Sequence, residues 1–333
     1  MGSLVLVTGA TGFIGSRVVL ELLEAGYRVR LAIRREEQVH KLRRIFQRYV
    51  EKIGFAIVHD ITTVGAFDMA MGDVQYVAHV ASPLPDRSTN ILIPAVRGTI
   101  SILGSALKAP SVKKVVITAS VASFVPMAGQ PNGTVVTETL NAPYTVTDDL
   151  VSSLDPLAQY RASKVASYQA TIDFVRNQKP KFDVVTLHPV WVFGRNLTQE
   201  LPEDPSGTCG MLFNCLMSEK PFFGQFLGVH VDDVAAAHVQ ALNNPIIGFQ
   251  PYLLAAPRRS WVEVDSFIRL QYPEVKFKFK PEDWMDYTVD SSKAETELGL
   301  TFKPMEEQVK DTVDQQLQFI SDASAVMYYE KRS

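Results

Sequence analysis

The feature that most restricts this chain is the run Val5-Leu-Val-Thr-Gly-Ala-Thr-Gly-Phe-Ile-Gly15, which sets Gly9, Gly12 and Gly15 between an aliphatic stretch and an amphipathic one. Leu4 to Val7 reads as a buried strand, Phe13 to Glu24 as a helix and Tyr27 to Ile33 as a second aliphatic strand, together a βαβ unit. In that setting Gly9 makes the tight turn, Gly12 lets a pyrophosphate approach the backbone and Gly15 lets the helix lie close to the sheet. Free amides of the first helical turn face the phosphate charge. Three glycines alone mean only turns; the flanking strand and helix make them a dinucleotide cradle.

The rest of the chain continues the alternation. Further strands are expected at Phe55 to Val58, Val74 to Ala78, Val115 to Thr118 and Val184 to Leu187, with helices at Glu37 to Tyr49, Asn90 to Leu107 and Leu157 to Val175. This predicts an α/β fold, a doubly wound parallel sheet of Rossmann type, with a smaller C-terminal substrate-binding lobe. After Leu187, Pro189, Gly194, Pro202, Pro205, Gly207 and Gly210 forbid one long helix and mark an active-site loop region. Residues 1–189 are assigned mainly to the nucleotide-binding domain, with 228–250 returning to it, and 190–227 and 251–325 mainly to the lobe. Shorter helices at Met211 to Met217, Val234 to Leu242, Trp261 to Leu270 and Met305 to Ile320 and a strand at Tyr252 to Leu254 complete the reading, with 323–333 a loosely docked tail.

With 46% hydrophobic and 21% charged residues, the chain can build a substantial core. A net charge of -3 lacks the basic excess of a nucleic-acid binder, and no apolar run is long enough for a membrane span. The folded motif begins almost at Met1 without a charged leader, so the expected location is cytoplasmic. Cys209 and Cys215 fit a reducing compartment, and His59, His79, His188, His230 and His238 form no short ligand cluster, so no metal is expected. Between monomer and homodimer the sequence makes no choice.

Chemistry enters with Arg34 and Arg35, which follow the second strand where an acidic residue would accept the ribose hydroxyls of NAD. Arginine suits an additional phosphate, so the cofactor is read as NADPH/NADP+, with either arginine able to lead; the plain alternative is a solubilising pair at a helix start. Asp60 either contacts adenine or caps the turn before Thr62. Tyr160 and Lys164 stand four apart, on one helix face, where an ammonium favours phenolate and leaves the tyrosine a usable acid. Ser120 follows the Val115 to Thr118 strand and suits polarisation of a carbonyl, with Ser123 as backup. An apolar supply of Phe124, Val125, Trp191, Phe193, Met211, Phe222, Phe223 and Phe226 suits a carbonyl on an aryl or alkyl body, and Val121, Phe124 and Trp191 are the expected substrate contacts.

These segments resemble the extended short-chain dehydrogenase/reductase family, and more closely its fungal and plant-like aldehyde, ketone and dihydroflavonol reductase branch. The resemblance lies in Thr8-Gly-Ala-Thr-Gly-Phe-Ile-Gly15, His79-Val-Ala-Ser-Pro83, Tyr160 to Lys164, His188-Pro-Val-Trp-Val-Phe-Gly194 and Val229-His-Val-Asp-Asp-Val-Ala-Ala-Ala-His238. It implies a catalytic trio of Ser120, Tyr160 and Lys164, with Lys164 also on the nicotinamide ribose. It implies cofactor contacts from Gly9, Thr11, Gly12, Phe13, Ile14 and Gly15, from Arg34, Arg35, Asp60 and Ile61, from Ala81 and Ser82, and from Pro189 and Val190 near the carboxamide. Arg97 before Gly98-Thr99 departs from a usual asparagine and Ala119 from a common serine, the first putting a supporting polar contact in doubt. The implied activity is NADPH-dependent reduction of an apolar ketone or aldehyde, with pro-S hydride delivery and reversible alcohol oxidation. A nucleotide-sugar epimerase or dehydratase shares the cradle and the tyrosine-lysine pair, but Arg34 and the apolar lobe weigh against it. A non-catalytic NADP sensor would have no use for Ser120, Tyr160 and Lys164 together, and no CoA-binding pattern supports a cinnamoyl-CoA reductase.

Overall fold

The computed structural model describes residues 2–83, 91–126, 129–139, 154–201, 207–219, 224–282 and 287–330, with side chains up to 321. Asn90, Pro202, Pro205, Phe222 and Phe223 lie outside the described residues. Strands β1 (Leu4–Thr8), β2 (Arg28–Ile33), β3 (Ile53–Ile57), β4 (Tyr76–His79) and β5 (Lys114–Thr118) precede a short β6 (Val135–Val136). They are followed by β7 (Asp183–Pro189), β8 (Trp191–Phe193), β9 (Gly228–His230), β10 (Phe249–Leu254) and β11 (Thr288–Val289). A seven-stranded sheet runs in the order β10-β7-β5-β4-β1-β2-β3, every pairing parallel. The strand order reverses between β1 and β4, and a doubly wound sheet offers its ligand crevice at the carboxyl ends there.

The central strands β1, β5 and β7 are buried on both faces, and β1 is aliphatic at every position but Thr8. Val5 and Val7 pack with Val18, Val19 and Leu22 of the Phe13–Glu24 helix and Val234 of the Val231–Asn243 helix, while Leu4 and Leu6 pack with Ile102 and Leu103 of the Leu92–Lys108 helix. A third cluster joins Phe193, Leu212, Phe226, Trp261, Ile268 and Val309, with Phe193 stacked on Phe226 at 5.3 Å and Phe226 edge-on to Trp261 at 5.5 Å. Its residues come from beyond β7. The edge strand β10 nevertheless pairs with β7 as far as Leu254 against Pro189, so the main sheet extends past residue 250.

Several elements differ from expectation. The helix expected over Glu37 to Tyr49 ends at Ile45 and gives way to a tighter turn, Gln47–Lys52, because the buried Phe46 and then Tyr49 adopt non-helical backbone angles. β8 and β9 pair as a small sheet, as do β6 and β11, and two- or three-residue strands carry no readable period. The last helix, Met305–Glu330, runs past Ile320 where a frayed tail is expected. Among the described residues no helix is long and apolar enough to cross a membrane.

The Met305–Glu330 helix holds the loop that follows β8. Gly194 N–H donates to Thr312 Oγ1 at 3.0 Å, Asn196 N–H to Gln315 Oε1 at 2.8 Å, and Gln315 Nε2 returns a bond to the Asn196 carbonyl at 2.8 Å. The amides of Gln199 and Gln316 pair reciprocally at 2.9 Å. Nearby, buried Asp233 accepts the Lys303 N–H at 2.8 Å, and burial pushes its carboxyl up to about 6. A folded value raised above the unfolded one contributes stability present at acid pH and lost as pH rises through about 6. Asparagine keeps the acceptor without the charge. Asp233→Asn is therefore expected to be more stable than the parent by about 1–2 kcal/mol near neutrality and to show no gain near the unfolded carboxylate pKa of about 3.9. Urea unfolding at both pH values checks this; an equal effect at both would contradict the assigned cost.

Candidate active site

The glycine loop follows β1 at its carboxyl end and leads into the Phe13–Glu24 helix. Gly9 has φ +75°, and a Cβ there would lie 2.7 Å from the Ala81 amide nitrogen, so the turns after β1 and β4 touch. Gly12 opens the Phe13–Glu24 helix with no side-chain cap, is exposed, and would bring a Cβ only to 3.4 Å from the Gly9 carbonyl oxygen. At Gly15 a Cβ would meet that same oxygen at 2.0 Å. Gly15 thus permits the helix to close on its own loop, a contact nearer than the sheet expected for it. Thr11, Phe13 and Ile14 line this start half-buried. The helix's first turn carries no acidic side chain, so a pyrophosphate fits its open amides and partial positive charge.

Thr8 ties this loop to the next strand end. Its hydroxyl oxygen accepts Val80 N–H at 3.1 Å and Ala81 N–H at 3.0 Å, and donates to His79 Nδ1 at 2.9 Å. With both lone pairs taken, the hydroxyl must be the donor to the ring, which fixes the proton of neutral His79 on Nε2. Burial holds that imidazole neutral, its pKa pushed down to about 3. Both residues stand in the motifs quoted from the sequence, but the bond between them joins strands 71 residues apart and leaves no local sign.

At the end of β2, Arg34 and Arg35 are exposed, and both backbone N–H groups donate to Gln38 Oε1, at 2.9 and 3.1 Å. The His59 ring donates through Nδ1 to the Arg34 carbonyl at 3.1 Å. Asp60 takes the Thr62 N–H and hydroxyl on Oδ1, both at 2.8 Å, which is the turn-capping arm of the alternatives posed for it; these bonds lower its pKa. Ile61 packs on Gly98, whose absent Cβ would stand 3.1 Å from Ile61 Cδ1.

The Pro156–Gln178 helix is started by Asp155, whose carboxylate accepts Leu157 and Ala158 N–H, with Pro156 in its first turn. It carries Tyr160, half-buried, and Lys164, buried, with Lys164 Nζ 5.4 Å from the Tyr160 ring centroid and donating to Ser82 Oγ at 2.9 Å. Ser120 lies in the turn after β5, its Oγ accepting Ala122 N–H at 3.2 Å. Ser123 spends its hydroxyl on the Lys164 carbonyl at 3.2 Å, binding this turn to the helix. Ala119 N–H donates to the Leu187 carbonyl at 2.7 Å. Arg97 is exposed, whereas Ala95, Gly98 and Thr99 line the cavity shared with His79, Ser82, Ala119 and Lys164. The departure at Arg97 therefore does not face the lysine.

The apolar candidates divide. Val121 and Trp191 are half-buried, and Pro189 and Val190 close the end of β7, with Val190 N–H bonded to the Leu254 carbonyl at 3.1 Å. Phe124, expected on the substrate wall, is 1% exposed and packs in the interior against Tyr168 at 5.2 Å and His188 at 4.7 Å. Among the described residues no group of three potential ligands could hold a metal. Cys209 and Cys215 are buried and unpaired to each other, and burial pushes the Cys209 thiol up to about 11.

Residues 5–252 match the model of the NAD dependent epimerase/dehydratase family. The chain is 38% identical over 328 residues to ketoreductase sphI of Aspergillus fumigatus, covering 95% of this chain and 98% of the relative. It is 31% identical to a putative NADPH-dependent methylglyoxal reductase, GRP2, of Candida albicans, covering 93% and 97%. Among solved structures it resembles yeast methylglyoxal/isovaleraldehyde reductase Gre2 complexed with NADPH, with a TM-score of 0.84, 28% identity and coverage of 96% and 99%.

Proposed function

The chain belongs to the NAD-dependent epimerase/dehydratase family, and from that premise we propose that it reduces apolar ketones or aldehydes to alcohols with NADPH. One observation carries this reading: an uncapped, glycine-lined helix start and the Tyr160–Lys164 pair meet the same β4 loop, through Ala81 and Ser82 respectively. NADPH, when bound, supplies the hydride. The loop from Gly9 to Gly15 holds its pyrophosphate, Arg34 with Arg35 its adenosine phosphate, and Pro189 with Val190 its carboxamide end. Tyr160 gives its phenolic proton to the substrate oxygen as charge builds there, and Ser120 donates a hydrogen bond to the same atom. The Lys164 ammonium has three donors, of which Ser82 takes one, leaving two for ribose hydroxyls and the phenolic oxygen. Val121 and Trp191 meet the apolar body of the substrate.

Relatives named as ketoreductases and an NADPH-dependent reductase favour this reading over sugar-nucleotide epimerisation, which the family name also embraces. The test is NADPH oxidation by the purified protein over aryl ketones, aliphatic aldehydes and α-ketoesters, with a nucleotide-sugar control. Turnover of an apolar carbonyl is expected. Epimerisation of the nucleotide sugar faster than every reduction would reverse the assignment.

Cofactor choice provides a separate measurement. The exposed guanidinium of Arg34 sits on a turn pinned by Gln38, where one charge-assisted bond to phosphate contributes about 1.5–3 kcal/mol. Arg34→Ala should lower the NADPH-to-NADH ratio of kcat/KM by roughly 10- to 100-fold. Equal efficiencies in the parent would refute the phosphate site. A larger effect from Arg35→Ala would move the role by one residue.

A further inference from the structure

We infer that His188 is a positioning residue for Ser120, an inference that rests on the catalytic reading of Ser120 given above. His188 is fully buried, its Nδ1 lies 3.0 Å from the Ser120 carbonyl oxygen and its Nε2 2.9 Å from Thr186 Oγ1. A backbone carbonyl can only accept, so Nδ1 carries the proton and donates; in the neutral ring Nε2 then accepts from the Thr186 hydroxyl. Burial keeps the ring neutral, with its pKa pushed down to about 3.

The Ser120 carbonyl takes a second bond, from Ser123 N–H at 3.0 Å. Both of its lone pairs are thus used, one by the turn itself and one by a side chain from the neighbouring strand. This locks the peptide plane after Ser120 and with it the backbone from which the Ser120 hydroxyl projects. The ring in turn cannot swing: Phe124 and Tyr168 meet it edge-on, each with centroids 4.7 Å away and at 64° and 81°. Leu187, the residue before His188, holds Ala119 through its backbone at 2.7 Å, so the end of β7 grips the Ser120 turn on both sides. This also gives the fully buried Phe124 its function, as a wall against the imidazole in place of a substrate contact.

The test compares two amides that mimic different ring nitrogens. Asparagine places its N–H₂ near the position of Nδ1, whereas glutamine reaches toward Nε2. His188→Gln is expected to lose roughly 10- to 100-fold in kcat, the scale of a small misplacement in a reacting geometry, with NADPH affinity within about threefold of the parent. His188→Asn should recover most of that loss. Combined with Ser120→Ala, His188→Gln should cost no further kcat, because a residue acting through Ser120 has nothing left to position. Parent-like kcat in His188→Gln, equal losses in both amide variants, or a loss that persists in the Ser120→Ala background would overturn the inference. Should His188→Gln fail to fold, the isosteric Thr186→Val, which removes the hydroxyl holding Nε2, enters the same cycle: it should lower kcat in the parent and leave Ser120→Ala unchanged, and any other pattern overturns the inference. Ser120→Ala alone keeps the two readings apart. If it retains parental turnover, the catalytic assignment of Ser120 has failed; if it loses turnover while the cycle is additive, only the role of His188 has.

Discussion

Tyr160→Phe is expected to lose roughly 10²- to 10⁴-fold in carbonyl reduction while binding NADPH nearly as well as the parent, since general acid catalysis commonly contributes that much. The phenyl ring remains to pack on its half-buried helix face, and Lys164 keeps its bond to Ser82 at 2.9 Å, so neither the fold nor the ammonium loses its support. What disappears is the transferable proton. Lys164→Ala should behave differently, weakening both turnover and cofactor affinity, because two contacts are assigned to that side chain. Single-turnover rates and a cofactor titration separate the two patterns. A folded Tyr160→Phe protein with near-parental hydride transfer would mean that another group protonates the substrate.

Gly15→Ala is expected to abolish measurable cofactor binding, or to prevent folding, through one methyl group. That carbon would stand 2.0 Å from the Gly9 carbonyl oxygen and 2.6 Å from its carbon, both main-chain atoms with no flexible end to move aside. Either the helix start shifts away or the Gly9 turn opens, and in each case the amides proposed to face the pyrophosphate lose their arrangement. Gly12→Ala is the informative control. Its Cβ meets only an oxygen at 3.4 Å, so the protein should fold with close to parental stability, and any loss of affinity there reports on space reserved for the ligand. Thermal unfolding and NADPH titration of both variants measure this. Parental affinity in Gly15→Ala would show that the loop is free to rearrange.

Much of this was legible in the sequence because the requirements are local. A glycine with positive φ, a helix opened without a cap and a tyrosine four residues before a lysine each declare themselves within one or two turns of chain. The parallel sheet was legible too, since strands buried on both faces read as near-continuous apolar runs, as in Leu4 to Val7 and Val115 to Ile117. Distance along the chain hid the rest. Thr8 and His79 are 71 residues apart, and Ser120 and His188 are 68, so their hydrogen bonds exist only once the strands lie side by side. Phe124 shows the same limit in another form: composition told that an apolar residue follows the Ser120 turn, but the turn's short tight winding sets which way it faces. It faces the imidazole.

The tether between the loop after β8 and the Met305–Glu330 helix also sets an order of events during synthesis. Domains form as the chain leaves the ribosome, first residues first. Residues 194–199 emerge well before their partners, which follow 117 to 119 residues later. Most of the parallel sheet, the glycine turn and the Tyr160 helix precede that moment, so a nascent chain can hold these elements while the loop after β8 is still without its anchors. The loop after β8 is fixed late, when Thr312, Gln315 and Gln316 arrive to hold it.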